Sequence, residues 1–341
     1  MKPVTDRYSR QILFSGIGPE GQEKIQNARV VLIGCGALGT VSAELLVRAG
    51  VGRLQLIDRD FVEESNLQRQ SLFTEADARS AIPKAVAAEK ALRSINSLVD
   101  ISGIVQDLTV ENIEDLCRES DIIVDGTDNF ETRYLINDFS VKRGVSWVYG
   151  ACVGSYGTAF LVRPGATSCL QCLFPEPPPL GSVETCDTAG VLGSVVHAVA
   201  SFQVAQVLKI LVGQTPGERV LKVDVWEDHW QLISAAGARN QDCSCCGKRK
   251  FRFLEAEERT HLMRLCGRDA VQVRPSRMTQ LDFSQLSQRL TKSGKVRYNQ
   301  HMMRIQINGY EIALFPDGRS IIKGTDDFSE ARAVYARYIG S

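Results

Sequence analysis

Lys84, Arg69 and Asp128 are the two kinds of group that hold a triphosphate: cations for its oxygens and a carboxylate for the magnesium ion that accompanies it. Taken singly, each also reads as a solvated surface charge. Their weight comes from Gly34-Cys35-Gly36-Ala37-Leu38-Gly39, which follows the apolar run Arg29 to Ile33 and precedes a helical pattern ending near Ala49. Glycines there let backbone amides approach a phosphate at the positive end of a helix. Asp58 closes the next apolar run and is placed to accept ribose hydroxyls. The glycine turn with Asp58 predicts a nucleotide site but fits NAD as well as ATP. The cation pair and Asp128 favour ATP, because hydride transfer has no use for them.

Sulfur forms a second group. Cys169-x-x-Cys172 and Cys243-Ser244-Cys245-Cys246 supply two thiol pairs with zinc-ligand spacing, 70 residues apart. Four sulfurs leave no open coordination position, so the expected zinc is structural. Cys243 and Cys246 have the usual spacing, and Cys245 is able to replace either. Cys186 stands alone in a segment of proline, glycine and small polar residues (175 to 190), where a loop thiol is open to nucleophilic chemistry or is a bystander. Cys35, Cys117, Cys152 and Cys266 read as small core residues.

The elements that position these groups follow from periodicity. Strands are predicted at 29–33, 54–57, 121–125, 145–149, 157–163 and near 220–226, with helices at 83–95, 131–143 and from the end of the 175–190 loop to about 212. This alternation gives an α/β fold with a mostly parallel central sheet. After Gly247 the composition changes, and a small α+β domain over 248–341 is expected: strands near 270–274, 302–307, 310–315 and 319–323, helices at 282–292 and 328–338, and a turn at Pro316-Asp317-Gly318. Its role is left open between recruiting a partner and stabilising the molecule.

Bulk composition narrows the classes of partner. Forty basic and 40 acidic residues cancel, which removes a global electrostatic case for nucleic acid or an anionic membrane. The first eleven residues carry no apolar secretory segment, so a cytoplasmic location with reduced thiols is expected. The apolar stretch Val191 to Gly213 is interrupted by His197, Gln203, Gln206 and Lys209 and reads as a buried helix.

Arg7-Tyr8-Ser9-Arg10-Gln11, the glycine turn, Asn66-Leu67-Gln68-Arg69-Gln70, Pro83-Lys84, Thr127-Asp128-Asn129 with Thr132-Arg133, and the two cysteine pairs occur in order over residues 5–247. Together they resemble the ThiF/MoeB family of adenylyltransferases, prokaryotic relatives of ubiquitin-activating enzymes. The resemblance implies a Rossmann-like nucleotide-binding fold with a structural zinc site. It implies adenylation of the C-terminal glycine of a ubiquitin-like sulfur-carrier protein ending in Gly-Gly, as in thiamine or molybdenum-cofactor synthesis, with ATP, Mg2+ and Zn2+ as cofactors. By the same resemblance, Gly36, Ala37 and Asp58 hold the adenosine end, while Ser65, Asn66, Leu67, Gln68, Arg69 and Lys84 hold the phosphates. Asp128 and Asn129 complete the magnesium and nucleotide site, and Arg10 reaches the partner's ATP across a homodimer. Cys169, Cys172, Cys243 and Cys246 match the zinc ligands. Glu184 through Val191 matches the loop whose cysteine links covalently to the carrier when a sulfur donor acts. Competing readings are a scaffold that binds a ubiquitin-like protein without catalysis, and an NAD-dependent oxidoreductase.

Overall fold

The computed structural model describes residues 6–179, 184–255, 262–264, 270–273, 281–291 and 294–339. The chain divides into two compact units, 1–255 and 256–341. The boundary falls eight residues beyond the one expected at Gly247. Phe251 and Phe253 belong to the core of the first unit, and Phe253 N donates to the buried Asp138 carboxylate at 2.9 Å.

The first unit is built on an eight-stranded sheet. β1 (Arg29–Ile33), β2 (Arg53–Ile57), β3 (Asp100–Ile104), β4 (Ile122–Asp125) and β5 (Ser146–Val153) run parallel in the order 3-2-1-4-5. β6 (Tyr156–Val162), β7 (Arg219–Asp224) and β8 (His229–Ser234) extend the sheet as antiparallel neighbours. Strand order reverses between β1 and β4, and that switch point opens a crevice at the carboxyl ends of both. The valine and isoleucine runs of β1 and β4 are buried because helices cover both faces of a parallel sheet.

Helix Ala37–Ala49 starts at the end of β1 and stops at Gly50, whose φ of +81° is left-handed. A side chain at Gly50 would meet the Tyr8 ring at 2.4 Å, so the N-terminal arm docks on the carboxyl end of this helix. Helix Gly193–Leu211 is long and apolar enough to cross a membrane. It packs against β5, β6, β7 and helix Ala37–Ala49. Its buried Val195, Val196, Val199, Gln203, Val204, Gln206 and Val207 follow a helical stripe, as expected of a core helix.

The segment expected to be a loop over 175–190 contains one helical turn, Cys186–Ala189. Thr185 and Thr188 cap it reciprocally, a local signal that the polar composition concealed. β3 and β8, absent from the periodicity reading, complete the sheet.

The second unit is an antiparallel sheet in the order β11-β12-β13-β14-β10-β9. The strands are β9 (Leu262–Arg264), β10 (Ala270–Val273), β11 (Lys295–Tyr298), β12 (Met303–Ile307), β13 (Tyr310–Leu314) and β14 (Ser320–Lys323). Helices Phe283–Leu290 and Phe328–Tyr338, capped by Asp282 and Asp327, share one apolar core with it. Cys266 lies outside the described residues.

Candidate active site

At the switch point the chain is packed backbone against backbone. Gly34 has φ +90°, and a side chain on it would stand 2.7 Å from Gly126 O. One on Gly39 would stand 1.8 Å from Gly34 O, and one on Gly126 2.5 Å from the same oxygen. Three glycines thus bring the ends of β1 and β4 and the start of helix Ala37–Ala49 together. Gly36 differs, because the nearest atom to a side chain there is Gly126 O at 3.8 Å. It is the N-cap of that helix, no side chain caps it, and Ala37 opens the first turn. The helix therefore offers its first amides to an incoming anion.

Asp58 lies beside this turn with each carboxylate oxygen engaged at 2.6 Å, one by Cys35 N and the other by Asp60 N. Burial pushes its pKa up to about 6 against the pull of Lys84 and those two amides. Lys84 is the first residue of helix Lys84–Ile95, and its side chain is only 8% exposed. Its ammonium lies 3.3 Å from Asp60 Oδ2, and its amide donates to Asp60 O at 2.8 Å. Asp58, Asp60 and Lys84 are therefore one cluster at the mouth of the crevice. Arg59, paired with Asp107 at 3.0 Å, braces it from the side.

The run Ser65 to Arg69 is a tight turn tied to this cluster by the Phe61–Pro83 bridge and by Val62 N donating to Ile82 O. Its members divide the work unevenly. Asn66 is 1% exposed, and its Oδ1 accepts from Glu63 N at 3.0 Å, so it shapes the turn. Leu67 packs on the core, and Arg69 Nη1 donates to Ser65 O at 2.7 Å. Ser65 and Gln68 are exposed.

The loop after β4 presents Asp128. Its carboxylate is exposed and makes no hydrogen bond or ion pair among the described residues. Asn129 caps helix Phe130–Arg143, with its Oδ1 accepting from Thr132 N at 2.8 Å. Beneath the loop lies a buried network that motif reading missed. Arg133 sits 3.3 Å from the Asp125 carboxylate and donates to Thr127 O (2.7 Å) and Gly150 O (3.0 Å). Asp125 in turn accepts from Thr127 N and Oγ1. Burial pushes the Asp125 carboxyl up while Arg133 pulls it down. Gln203 Nε2 donates to Asp125 O (2.8 Å) and Val148 O (3.2 Å) from helix Gly193–Leu211, and Gly150 lacks a side chain because Gln203 fills that space. The available signal was a basic residue eight positions after a strand-terminal aspartate, inside the quoted Thr132-Arg133 pair.

Arg10 is not part of this cluster. The arm that carries it docks where helix Ala37–Ala49 ends, whereas the crevice lies where that helix begins, about 20 Å away for thirteen residues. Arg7 Nη1 donates to Ile95 O and Tyr8 OH accepts from Asn96, both at the far end of the Lys84 helix. Cys186 stands closer: its thiol donates to Cys152 O at 3.1 Å, at the end of β5 beside β4. Cys35, Cys117 and Cys152 are buried.

The four sulfurs of Cys169, Cys172, Cys243 and Cys246 lie within 4.8 Å of one another. Tetrahedral coordination at about 2.3 Å requires sulfur separations of roughly 3.8 Å. The neighbouring pairs Cys169–Cys243 and Cys172–Cys246 stand at 3.6 and 3.3 Å, so the site fits a four-thiolate metal with little adjustment. Cys245 is outside this set. It is fully buried, and its sulfur accepts from Asn137 Nδ2 at 3.3 Å. Asp138, Gln171 and Ser244 form a buried relay behind the cluster, with Gln171 Nε2 donating to Asp138 and Ser244 Oγ to Gln171. Burial pushes the Asp138 pKa up to about 6.

The profile of the ThiF family matches residues 8–245, which is most of the first unit. The chain belongs to the ThiF family. Its relatives include the sulfur carrier protein ThiS adenylyltransferase of Bacillus subtilis, 48% identical over 99% of this chain and 100% of that protein. The sulfur carrier protein adenylyltransferase of Thermus thermophilus is 40% identical over 72% of this chain and 92% of its own length. Among solved structures, E. coli MccB aligns with a TM-score of 0.63 at 25% identity, covering 76% of each chain. The match to the Thermus protein has the extent of the ThiF-family unit, whereas the match to the Bacillus protein takes in the second unit as well.

Proposed function

We propose that this chain uses ATP to adenylate the C-terminal glycine carboxylate of a ubiquitin-like sulfur-carrier protein, releasing pyrophosphate and priming the carrier for sulfur transfer. The observation that carries this reading is the similarity to a ThiS adenylyltransferase over essentially the whole chain, which also favours a thiamine-type carrier. The switch-point crevice supports it. Gly36 and Ala37 offer amides to the phosphates, and Asp58 receives the ribose hydroxyls. Lys84 and Arg69 neutralise charge that grows as pyrophosphate leaves. Asp128 would hold magnesium, which would supply charge to offset the repulsion between the attacking carboxylate and the α-phosphate. No general base is required, since a glycine carboxylate is ionised at neutral pH. Arg133, Asp125 and Gln203 hold the Asp128 loop in place from below.

Arg10 serves a second copy of the chain. Its position at the wrong end of helix Ala37–Ala49 for its own crevice supports a homodimer in which each arm completes the other site. Cys186, at the end of β5, is placed to take the carrier covalently during sulfur transfer from a donor. Cys169, Cys172, Cys243 and Cys246 would hold a structural zinc. A cytoplasmic location would supply the ATP and the reducing conditions that this reading requires. ATP/pyrophosphate exchange with a panel of diglycine-ended carriers tests the reading: exchange should require Lys84 and the carrier's last glycine. ATP binding without exchange from any carrier sinks it.

A further inference from the structure

The two cysteine pairs lie 70 residues apart in the chain, and a third element ties them together. Helix Phe130–Arg143 carries none of the four ligands. Asn137 and Asp138, adjacent on it and both fully buried, reach the residues that lie between the cysteines of each pair. Asn137 Oδ1 accepts from Leu170 N at 2.8 Å, and Asn137 Nδ2 donates to Cys245 Sγ at 3.3 Å, so one side-chain amide bridges both pairs. Asp138 makes a second bridge. Its Oδ1 accepts from Gln171 Nε2 at 2.9 Å, and Gln171 Oε1 accepts from Ser244 Oγ at 2.7 Å. Its Oδ2 accepts from Phe253 N at 2.9 Å and fixes the chain beyond the second pair. Leu170 and Gln171 are the residues between Cys169 and Cys172, as Ser244 and Cys245 are between Cys243 and Cys246. All four are engaged, and none of these bonds uses a ligand sulfur.

The pattern bears on when the site forms. Where a metal builds its own site, the ligand bonds join the halves, and removing the ion lets them part. Here a frame of buried hydrogen bonds joins them without the ion. Opening it would strand a desolvated carboxylate and amide, which makes the frame resistant to loosening. We propose that Asn137 and Asp138 are positioning residues for the metal: they hold the two cysteine pairs in register before it binds, so that zinc enters a finished site instead of folding one. This rests on the four-thiolate zinc reading and is independent of the adenylation reading. A site held ready in this way also gives up its metal slowly, because losing the ion gains the ligands little freedom.

The test strips zinc from the full-length protein with a chelator, under a phosphine reductant that keeps the thiols unpaired. In hydrogen exchange, the Leu170 and Phe253 amides of metal-free wild type should keep protection within about tenfold of the zinc form. Protection that falls to the level of an exposed turn overturns the proposal, since the ion would then be building the site. Asp138→Asn and Asn137→Ser are compared with Leu92→Ala, a residue from a different core cluster than the cysteines. In competition with a zinc-binding dye, the first two should hold zinc about 10- to 100-fold more weakly than wild type and release it faster to chelator. Leu92→Ala should lower the melting temperature and leave zinc affinity within twofold of wild type. Zinc affinity unchanged in both helix variants overturns the proposal. So does an equal loss of affinity in Leu92→Ala, which would make the effect one of general stability. If wild type takes up no zinc, the four-thiolate reading fails and this inference with it, while adenylation stands.

Discussion

Gly36 and Gly39 occupy the same turn and predict opposite outcomes. At Gly36 an added methyl meets only Gly126 O at 3.8 Å, and its φ of −78° suits any residue. Replacing a glycine N-cap by alanine costs up to about 1 kcal/mol, partly offset by the lower entropy of the unfolded chain. Gly36→Ala should therefore melt within about 4 °C of wild type. The same methyl fills the space a phosphate needs to reach the helix amides. Loss of one hydrogen bond to a charged group is worth roughly 1.5–3 kcal/mol, which weakens ATP binding about 10- to 150-fold. At Gly39 the methyl would lie 1.8 Å from Gly34 O and 3.1 Å from Leu32 Cδ2. Two backbone segments must separate, at about 3 kcal/mol or more, so Gly39→Ala is primarily a folding mutant. Calorimetric titration with Mg-ATP alongside thermal melts measures both. If Gly36→Ala binds ATP within twofold of wild type, the phosphates do not approach this backbone and the placement of the nucleotide is wrong.

Arg133→Met leaves the Asp125 carboxylate buried without its cation and should lower stability by about 3–5 kcal/mol in urea denaturation, with part regained in the Asp125→Asn double variant. Asp58 carries a raised pKa of about 6, so its ionised form is disfavoured in the folded protein. Its contribution to stability is present below its ordinary value near 4 and is lost as pH rises through about 6. Relative to Asp58→Asn, which keeps one of the two acceptors at every pH, wild type should accordingly lose stability in ligand-free melts as pH rises from about 4 to 7. Adenosine affinity of wild type should rise between pH 5 and 7 while the variant stays flat. Plasma emission should find one zinc per chain, retained in Cys245→Ala and lost in Cys246→Ala, with a lower melting temperature only in the latter. Mixing Arg10→Ala and Lys84→Ala chains should restore exchange to about a quarter of wild type, because half the dimers are mixed and each has one intact site. No restoration would place Arg10 outside the partner's crevice.

Groups acting through local spacing were legible in the sequence. The glycine turn announces itself because backbone approach demands glycine at fixed offsets, and the cysteine pairs because metal geometry fixes their spacing. Asp58 was legible as the polar end of an apolar run, and Asp128 as an acid in the loop that follows another. Arg133, Asp125 and Gln203 were not, since a buried polar network joins three elements that only the fold brings together. Gln203 read as an interruption of an apolar stretch, when it is the residue that ties helix Gly193–Leu211 to the ends of β4 and β5. β8 escaped because neither of its faces is buried, so the alternation that marks a half-buried strand carries no signal there. The turn at Cys186 escaped because four residues are too short for a helical period, although its threonine pair was visible.

The cysteine cluster turns part of the chain into a ring. With metal bound, residues 172 and 243 are joined twice, through the backbone and through the ion, and the circuit encloses the Cys186 turn, helix Gly193–Leu211 and the β7–β8 hairpin. A single backbone cut inside that circuit opens the ring without freeing either piece, so a nicked molecule runs as one species under native conditions. The same cut followed by chelation leaves two fragments held by packing alone. Zinc status would then decide whether a protease that reaches this stretch merely scars the protein or takes it apart.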